Sequence, residues 1–245
     1  MTSPSVWQEV EFGSYGADLP VWVELADEAN GPVVELGAGA GRVSLHLAGH
    51  GHEVVAVERD LDLIRELERT AEERNIALAV VAGDLASQAE FHLPVPPALV
   101  IGPLHVIQVL DAPSRPALLA RLRELIAPGG TLALTVVDES TLLSSGAAST
   151  QILPDMRELD GWVYSSEPLW VQVGDRALTV RRLRETVSPE GRMERDIHDE
   201  VLHRVDADTL EREAEAAGFR PAGRRQISSG ENEADSTVVL LGAPE

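Results

Sequence analysis

Val33-Val34-Glu35-Leu36-Gly37-Ala38-Gly39-Ala40-Gly41-Arg42-Val43-Ser44 sets three glycines at alternate positions between two different patterns. Before them lies a short apolar segment holding one acid. After them Val43, Leu45, Leu47 and Ala48 recur at helical spacing. A strand that turns sharply into a helix fits both, with backbone bare enough for a ligand to lie against it. The spacing narrows the choice of ligand. A dinucleotide fingerprint, G-x-G-x-x-G, wants a third glycine where this chain has Arg42 (counting from Gly37) or Ser44 (counting from Gly39). A phosphate-binding P-loop wants a Lys after its last glycine, and the chain has no Lys. What remains is E-x-G-x-G-x-G, or a tight turn that binds nothing.

Further strand ends follow in order. Glu53-Val54-Val55-Ala56-Val57 reads as a buried parallel strand with Glu58 at its carboxyl end, where ligands of open α/β sheets bind. A carboxylate there accepts strong hydrogen bonds from two vicinal ribose hydroxyls. Glu58 follows Gly41 by 17 residues, close to the ~20 typical of such sheets. A third strand, Leu78–Ala82, runs into Gly83-Asp84-Leu85, and a fourth, Ala98–Ile101, into Gly102-Pro103-Leu104-His105. A fifth, Thr131–Val136, is announced by the helix stop Pro128-Gly129-Gly130.

Together with Tyr15-Gly16-Ala17-Asp18-Leu19-Pro20, Trp22, Ala127-Pro128-Gly129-Gly130 and Ala217-Gly218-Phe219, these segments resemble the class I S-adenosylmethionine-dependent methyltransferases of small molecules. The nearest types are the amino-sugar and glycine N-methyltransferases. The resemblance covers nearly the whole chain. It implies an α/β fold, a Rossmann-like seven-stranded methyltransferase sheet with helices on both faces, and S-adenosyl-L-methionine as cofactor. By position it implies that Glu35, Gly37 and Gly39 line the methionine end and Glu58 holds the ribose. Asp84 would accept from the adenine amine, Leu85 would pack on its ring, and the Gly102 backbone would meet the cofactor amino group. Two positions depart from the pattern: Ala38 stands where many relatives have Cys, and Pro103 where some have a polar residue.

Composition bounds the alternatives. A chain of 245 residues suits one large domain, or a domain with an insert, and buries a substantial core. It has no cysteine, which excludes disulfides, thiol catalysis and Cys-ligated metals. All 20 basic residues are Arg, which excludes Schiff-base chemistry and Lys general bases. A net charge of −21 repels a polyanion, so neither RNA nor DNA is expected as substrate. No apolar segment reaches ~18 residues without a charge, and Met1-Thr2-Ser3-Pro4-Ser5 shows no cationic stretch before an apolar run. The expectation is a cytoplasmic protein, free of membrane, and a monomer or homodimer.

Helical spacing marks residues 18–29, 60–74 with Asp60 as N-cap, and 114–127. From Trp162 to Val205 the period is closer to two, in stretches Trp162–Val173, Ala177–Val187 and Met193–Val205. That predicts an inserted antiparallel β-sheet. A helix over Asp206–Ala217 and strands near Arg220–Ser228 and Thr237–Leu241 then return to the main sheet. The expected division is a cofactor-binding domain of residues 1–138 and 205–245, with residues 139–204 as a substrate lid.

Substrate choice belongs to that insert. Trp162, Tyr164 and Trp170 either wall an acceptor pocket or are core. Arg181, Arg182 and Arg184 either bind an anionic acceptor or form a solvated ion-pair face, and the neighbouring acids favour the second. His198 and His203 read as cross-strand partners. His105 follows the fourth strand, where a methyl acceptor approaches. As the catalytic residue it would take the acceptor's proton; otherwise it is a histidine satisfied by nearby backbone. Asp138 and Glu139 are weaker candidates for orienting a cationic amine. The expected reaction is direct in-line transfer, with acceptor, methyl and sulfur held collinear at ~3–3.5 Å and no metal. The rival readings are a non-catalytic cofactor-binding regulator and, against the glycine spacing, a nicotinamide dehydrogenase.

Overall fold

Val33–Leu36 (β1), Val54–Glu58 (β2) and Leu99–Gly102 (β4) are buried along their whole length, as apolar strands covered by helices on both sides must be. In the computed structural model, which describes residues 3–86, 91–137, 154–228 and 235–245, they form the middle of a seven-stranded sheet. Ala79–Ala82 (β3), Thr131–Val137 (β5), Arg220–Ile227 (β10) and Ser236–Gly242 (β11) complete the order β10-β11-β5-β4-β1-β2-β3. The five strands β3 to β5 across this order are parallel, and β11 runs antiparallel to both β5 and β10.

The pleat sorts the core. Val34, Leu36, Val55 and Val57 face Arg115–Leu125 (α5) and Ala207–Ala216 (α6), through Leu118, Leu119, Leu122, Leu210 and Ala214. Val33, Val54, Leu99 and Ile101 face Leu19–Glu28 (α2) and Arg42–Gly49 (α3), through Trp22, Leu25, Val43 and Leu47. Leu61–Arg74 (α4) sets Leu67 and Ala71 beside Ala56. Its N-cap is Asp60, whose side chain accepts from the Asp62 and Leu63 amides at 2.8 and 3.3 Å.

A separate four-stranded antiparallel sheet lies between β5 and α6 in the chain, in the order β6-β7-β8-β9. Trp162–Val173 (β7) and Ala177–Val187 (β8) fall where the period-two pattern puts them. Met193–His203 (β9) ends before Val205, which is buried in the core beside α6 instead. Neither Asp155–Leu159 (β6) nor the helix Pro4–Phe12 (α1), which packs on β6, β7 and α4, was foreseen.

Candidate functional site

The strand order sets the carboxyl ends of β4, β1, β2 and β3 side by side. Gly102, the Gly37–Gly41 turn, Glu58 and the Asp84 loop therefore lie in one row, about 14 Å long at ~4.8 Å per strand. In an open α/β sheet this is the ligand crevice.

Each turn glycine has left-handed backbone, with φ of 65° at Gly37, 58° at Gly39 and 94° at Gly41, a region that side chains rarely adopt. Their surroundings differ. A Cβ on Gly41 would strike Leu67 of α4, so that glycine serves helix packing. A Cβ on Gly37 would lie 2.5 Å from Val106 Cγ2, and one on Gly39 would strike the Gln8 carboxamide. Gly102 is equally crowded, with Leu134 at 2.6 Å and Val106 at 2.8 Å from a Cβ placed there.

Glu58 is buried and joins β2 to the turn. Its carboxylate accepts from the amides of Gly39 at 2.9 Å, Arg59 at 2.8 Å and Asp60 at 2.9 Å. A carboxylate has about four acceptor positions, so these three bonds leave capacity for a ligand hydroxyl. Asp84 accepts from the Ala86 amide at 3.0 Å and lies 3.9 Å from the Arg59 guanidinium. Leu85 is buried in the cluster that holds Val57 and Phe91, so it is core first.

Glu35 points into the protein beside the turn and accepts from the Ser44 hydroxyl. Burial pushes its carboxyl up to about 7, against the hydrogen bond from Ser44 and the nearby Arg42 charge. Arg42 forks onto Asp18 at 2.6 and 2.7 Å, Trp22 donates to the same carboxylate at 2.9 Å, and Arg42 also donates to the Tyr15 carbonyl at 3.1 Å. The residue that breaks the dinucleotide spacing is thus an internal staple for the segment Tyr15–Trp22.

His105 follows Leu104, a non-glycine residue with φ 55°. Its ring nitrogen Nε2 lies 2.6 Å from Glu200 Oε1 on β9. Burial lowers the imidazole pKa, but the charge and hydrogen bond of Glu200 outweigh it and the net direction is upward. Phe12 of α1 stands edge-on to the ring at 6.0 Å.

α1 crosses from the turn to the inserted sheet. Gln8 accepts from the Ala40 amide at 2.8 Å. Glu11, 5% exposed, accepts both guanidinium donors of Arg184 at 2.8 Å and the Ser166 hydroxyl at 2.6 Å, with Arg182 at 3.5 Å. Trp7 lies edge-on to Tyr164 at 5.9 Å and under the Arg184 guanidinium. The expected solvated arginine face therefore holds only for Arg181, which pairs with Asp199 across the strands at a half-exposed site. Arg182 and Arg184 are turned inward, because one buried acid on α1 lies between them. The three aromatics do not form one wall. A bulge between Pro168 and Trp170 puts Trp170 opposite Arg181, on the other face from Trp162 and Tyr164. In register, His198 faces Arg182 and His203 faces Ala177. Asp138 and Glu139 lie outside the described residues.

The model of a methyltransferase domain matches residues 17–222. The chain belongs to that methyltransferase family. Among solved structures, an S-adenosylmethionine-dependent methyltransferase from Clostridium acetobutylicum is 11% identical, with 98% of this chain and 97% of that one covered at a TM-score of 0.74. The sugar N-methyltransferase KedS8 from Streptoalloteichus is 16% identical, with 98% and 91% covered at 0.72. The glycopeptide N-methyltransferase MtfA, complexed with S-adenosylmethionine, is 25% identical, with 94% and 96% covered at 0.61. Among curated proteins, an rRNA adenine N-6-methyltransferase of Corynebacterium diphtheriae is 31% identical over 86 residues, 34% of this chain. The chain thus matches about a third of that relative, 32% of its length.

Three residues around the candidate site were missed by sequence reading: Gln8, Glu11 and Glu200. Ser3-Pro4 with Val6, Trp7 and Val10 is a legible helix start, yet nothing in that spacing says which face meets the glycine turn. Glu200 is one acid among many in β9. Only the fold brings it to His105. Among the described residues, no helix of the methyltransferase is long and apolar enough to cross a membrane.

Proposed function

We propose that the protein transfers the methyl group of S-adenosylmethionine, in line, to a nitrogen or oxygen atom of a small molecule. The observation that carries this reading is the row of Gly102, Gly37, Gly39, Glu58 and Asp84 along one end of the sheet. These residue types suit the cofactor at each step. Glu58 retains acceptor capacity for a ribose hydroxyl, and Asp84 and Leu85 are assigned to the adenine. The Gly37–Gly39 turn and the Gly102 backbone take the methionine end. Glu35, poised near 7, ionises when a cation arrives beside it. The bound cofactor supplies a methyl group already activated by its sulfonium, so the chain has only to hold the acceptor, exclude water and take a proton. His105 is the group for the proton. Residues 139–204 are the insert in this division of the chain, and its sheet, Asp155–His203, covers the acceptor. A net charge of −21 opposes a nucleic-acid acceptor.

The test is thermal unfolding with S-adenosylhomocysteine, the demethylated product. At a hundred times its Kd a ligand of the native state adds about 2.7 kcal/mol, a clear rise in Tm. No rise at millimolar ligand, beside a rise with a nicotinamide dinucleotide, overturns the reading.

A further inference from the structure

The loop after β4 and the strand β9 are far apart in sequence, yet His105 Nε2 and Glu200 Oε1 stand 2.6 Å apart, with 17% and 26% of the two side chains exposed. A neutral imidazole carries one N–H, and the carboxylate at Nε2 takes it. We propose that Glu200 is a positioning residue for His105: it fixes the tautomer with the proton on Nε2 and leaves the Nδ1 lone pair to receive the acceptor's proton. This rests on the reading of His105 as the acceptor's base. Among the described residues the ring's hydrogen bond is made at Nε2.

The balance is simple. The acceptor's nitrogen or oxygen forms a bond to the methyl carbon, and the electron pair of the breaking carbon–sulfur bond stays on sulfur. The acceptor's proton goes to Nδ1, and the resulting imidazolium faces the Glu200 carboxylate before the proton leaves to solvent. The inserted sheet thereby contributes to the chemistry as well as covering it, because the base is oriented correctly only when β9 is docked.

The charged surroundings are few. Glu200 acts on His105 directly, while Arg182 of β8 and His198 of β9 act on Glu200 and hold its carboxyl ionised against burial, together with His105. α1 sets the Phe12 ring against His105 and its Glu11 carboxylate 3.5 Å from Arg182. Since a base must be neutral to work, Glu200 displaces the acid limb of the rate profile upward while raising the basicity of Nδ1.

The experiment is kcat and kcat/KM against pH for wild type, His105→Ala, Glu200→Gln and Glu200→Asp, with an NMR titration of His105 in the S-adenosylhomocysteine complex. In Glu200→Gln the acid limb and the NMR midpoint both move to lower pH. The plateau kcat falls about tenfold or more, the scale of a lost hydrogen bond to a charged group, and the cofactor KM stays within a few-fold. Glu200→Asp recovers part of both. A limb and midpoint at the wild-type pH in Glu200→Gln, with His105→Ala impaired, overturns the role of Glu200 alone. Wild-type turnover in His105→Ala overturns the reading of His105 as base, and the role of Glu200 with it.

Discussion

Glu35 and Glu58 are two buried carboxylates packed beside the same turn, and they are held by different donors. Glu58 accepts from three backbone amides. Glu35 has one hydroxyl donor and full burial, so its folded-state pKa of about 7 lies above the ordinary 4.5. Between these values the native state binds more protons than the unfolded chain, so this group's stabilisation is complete below about 4.5 and is lost as pH rises through about 7. A shift of this size corresponds to ~3 kcal/mol. Glu35→Gln, without cofactor, is therefore expected to flatten the fall in stability between these pH values and to unfold at a higher temperature than wild type at pH 8. Parallel pH–Tm curves for the two proteins would contradict this. Glu58→Ala is expected to weaken S-adenosylhomocysteine binding by about 1.5–3 kcal/mol. It also lowers Tm, because three amides lose their acceptor, and calorimetry read beside unfolding separates the two effects.

Elements differ in how much of their placement the sequence carries. The parallel strands are legible because each is a short apolar run stopped by glycine or an acid. Their order is set by the fold, and the row Gly102, Gly37, Glu58 and Asp84 comes with that order. The bulge after Pro168 is not legible, and without it Trp170 falls on the wrong face. The seating of α1 is not legible either, since it depends on Glu11 meeting Arg182 and Arg184 more than 160 positions later in the chain. Glu11→Ala leaves those guanidinium groups without their buried partner, and hydrogen exchange over residues 4–12 is expected to quicken while the amides of β1, β2 and β4 keep their protection. Unchanged exchange in α1 would show that other contacts hold it. The staple between Asp18 and Arg42, with Asp18 1% exposed, acts on α2 and α3. Breaking a buried pair by removing one partner costs about 3–5 kcal/mol, so Arg42→Ala should lower Tm by many degrees.

On the scale of the whole molecule, 20 arginines face 41 acids. Even with every arginine paired, as many are with Asp or Glu on α4, β8, β9 and β10, a large excess of negative charge repels itself. Raising salt from 0.01 to 1 M shortens the screening length from ~30 to ~3 Å. The repulsion, which acts over the longer range, is relieved more than the contact pairs are weakened. Tm is expected to climb with sodium chloride, and a steady fall would mean that the ion pairs dominate. α1 has a consequence at this scale too. One helix rests with Gln8 on the glycine turn and with Glu11 on the inserted sheet, so neither end lifts clear while the other is held. The two reactants are then expected to enter in a compulsory order, the methyl donor before the acceptor, and to leave in the reverse order. Product-inhibition patterns would read this as S-adenosylhomocysteine competing with the donor alone.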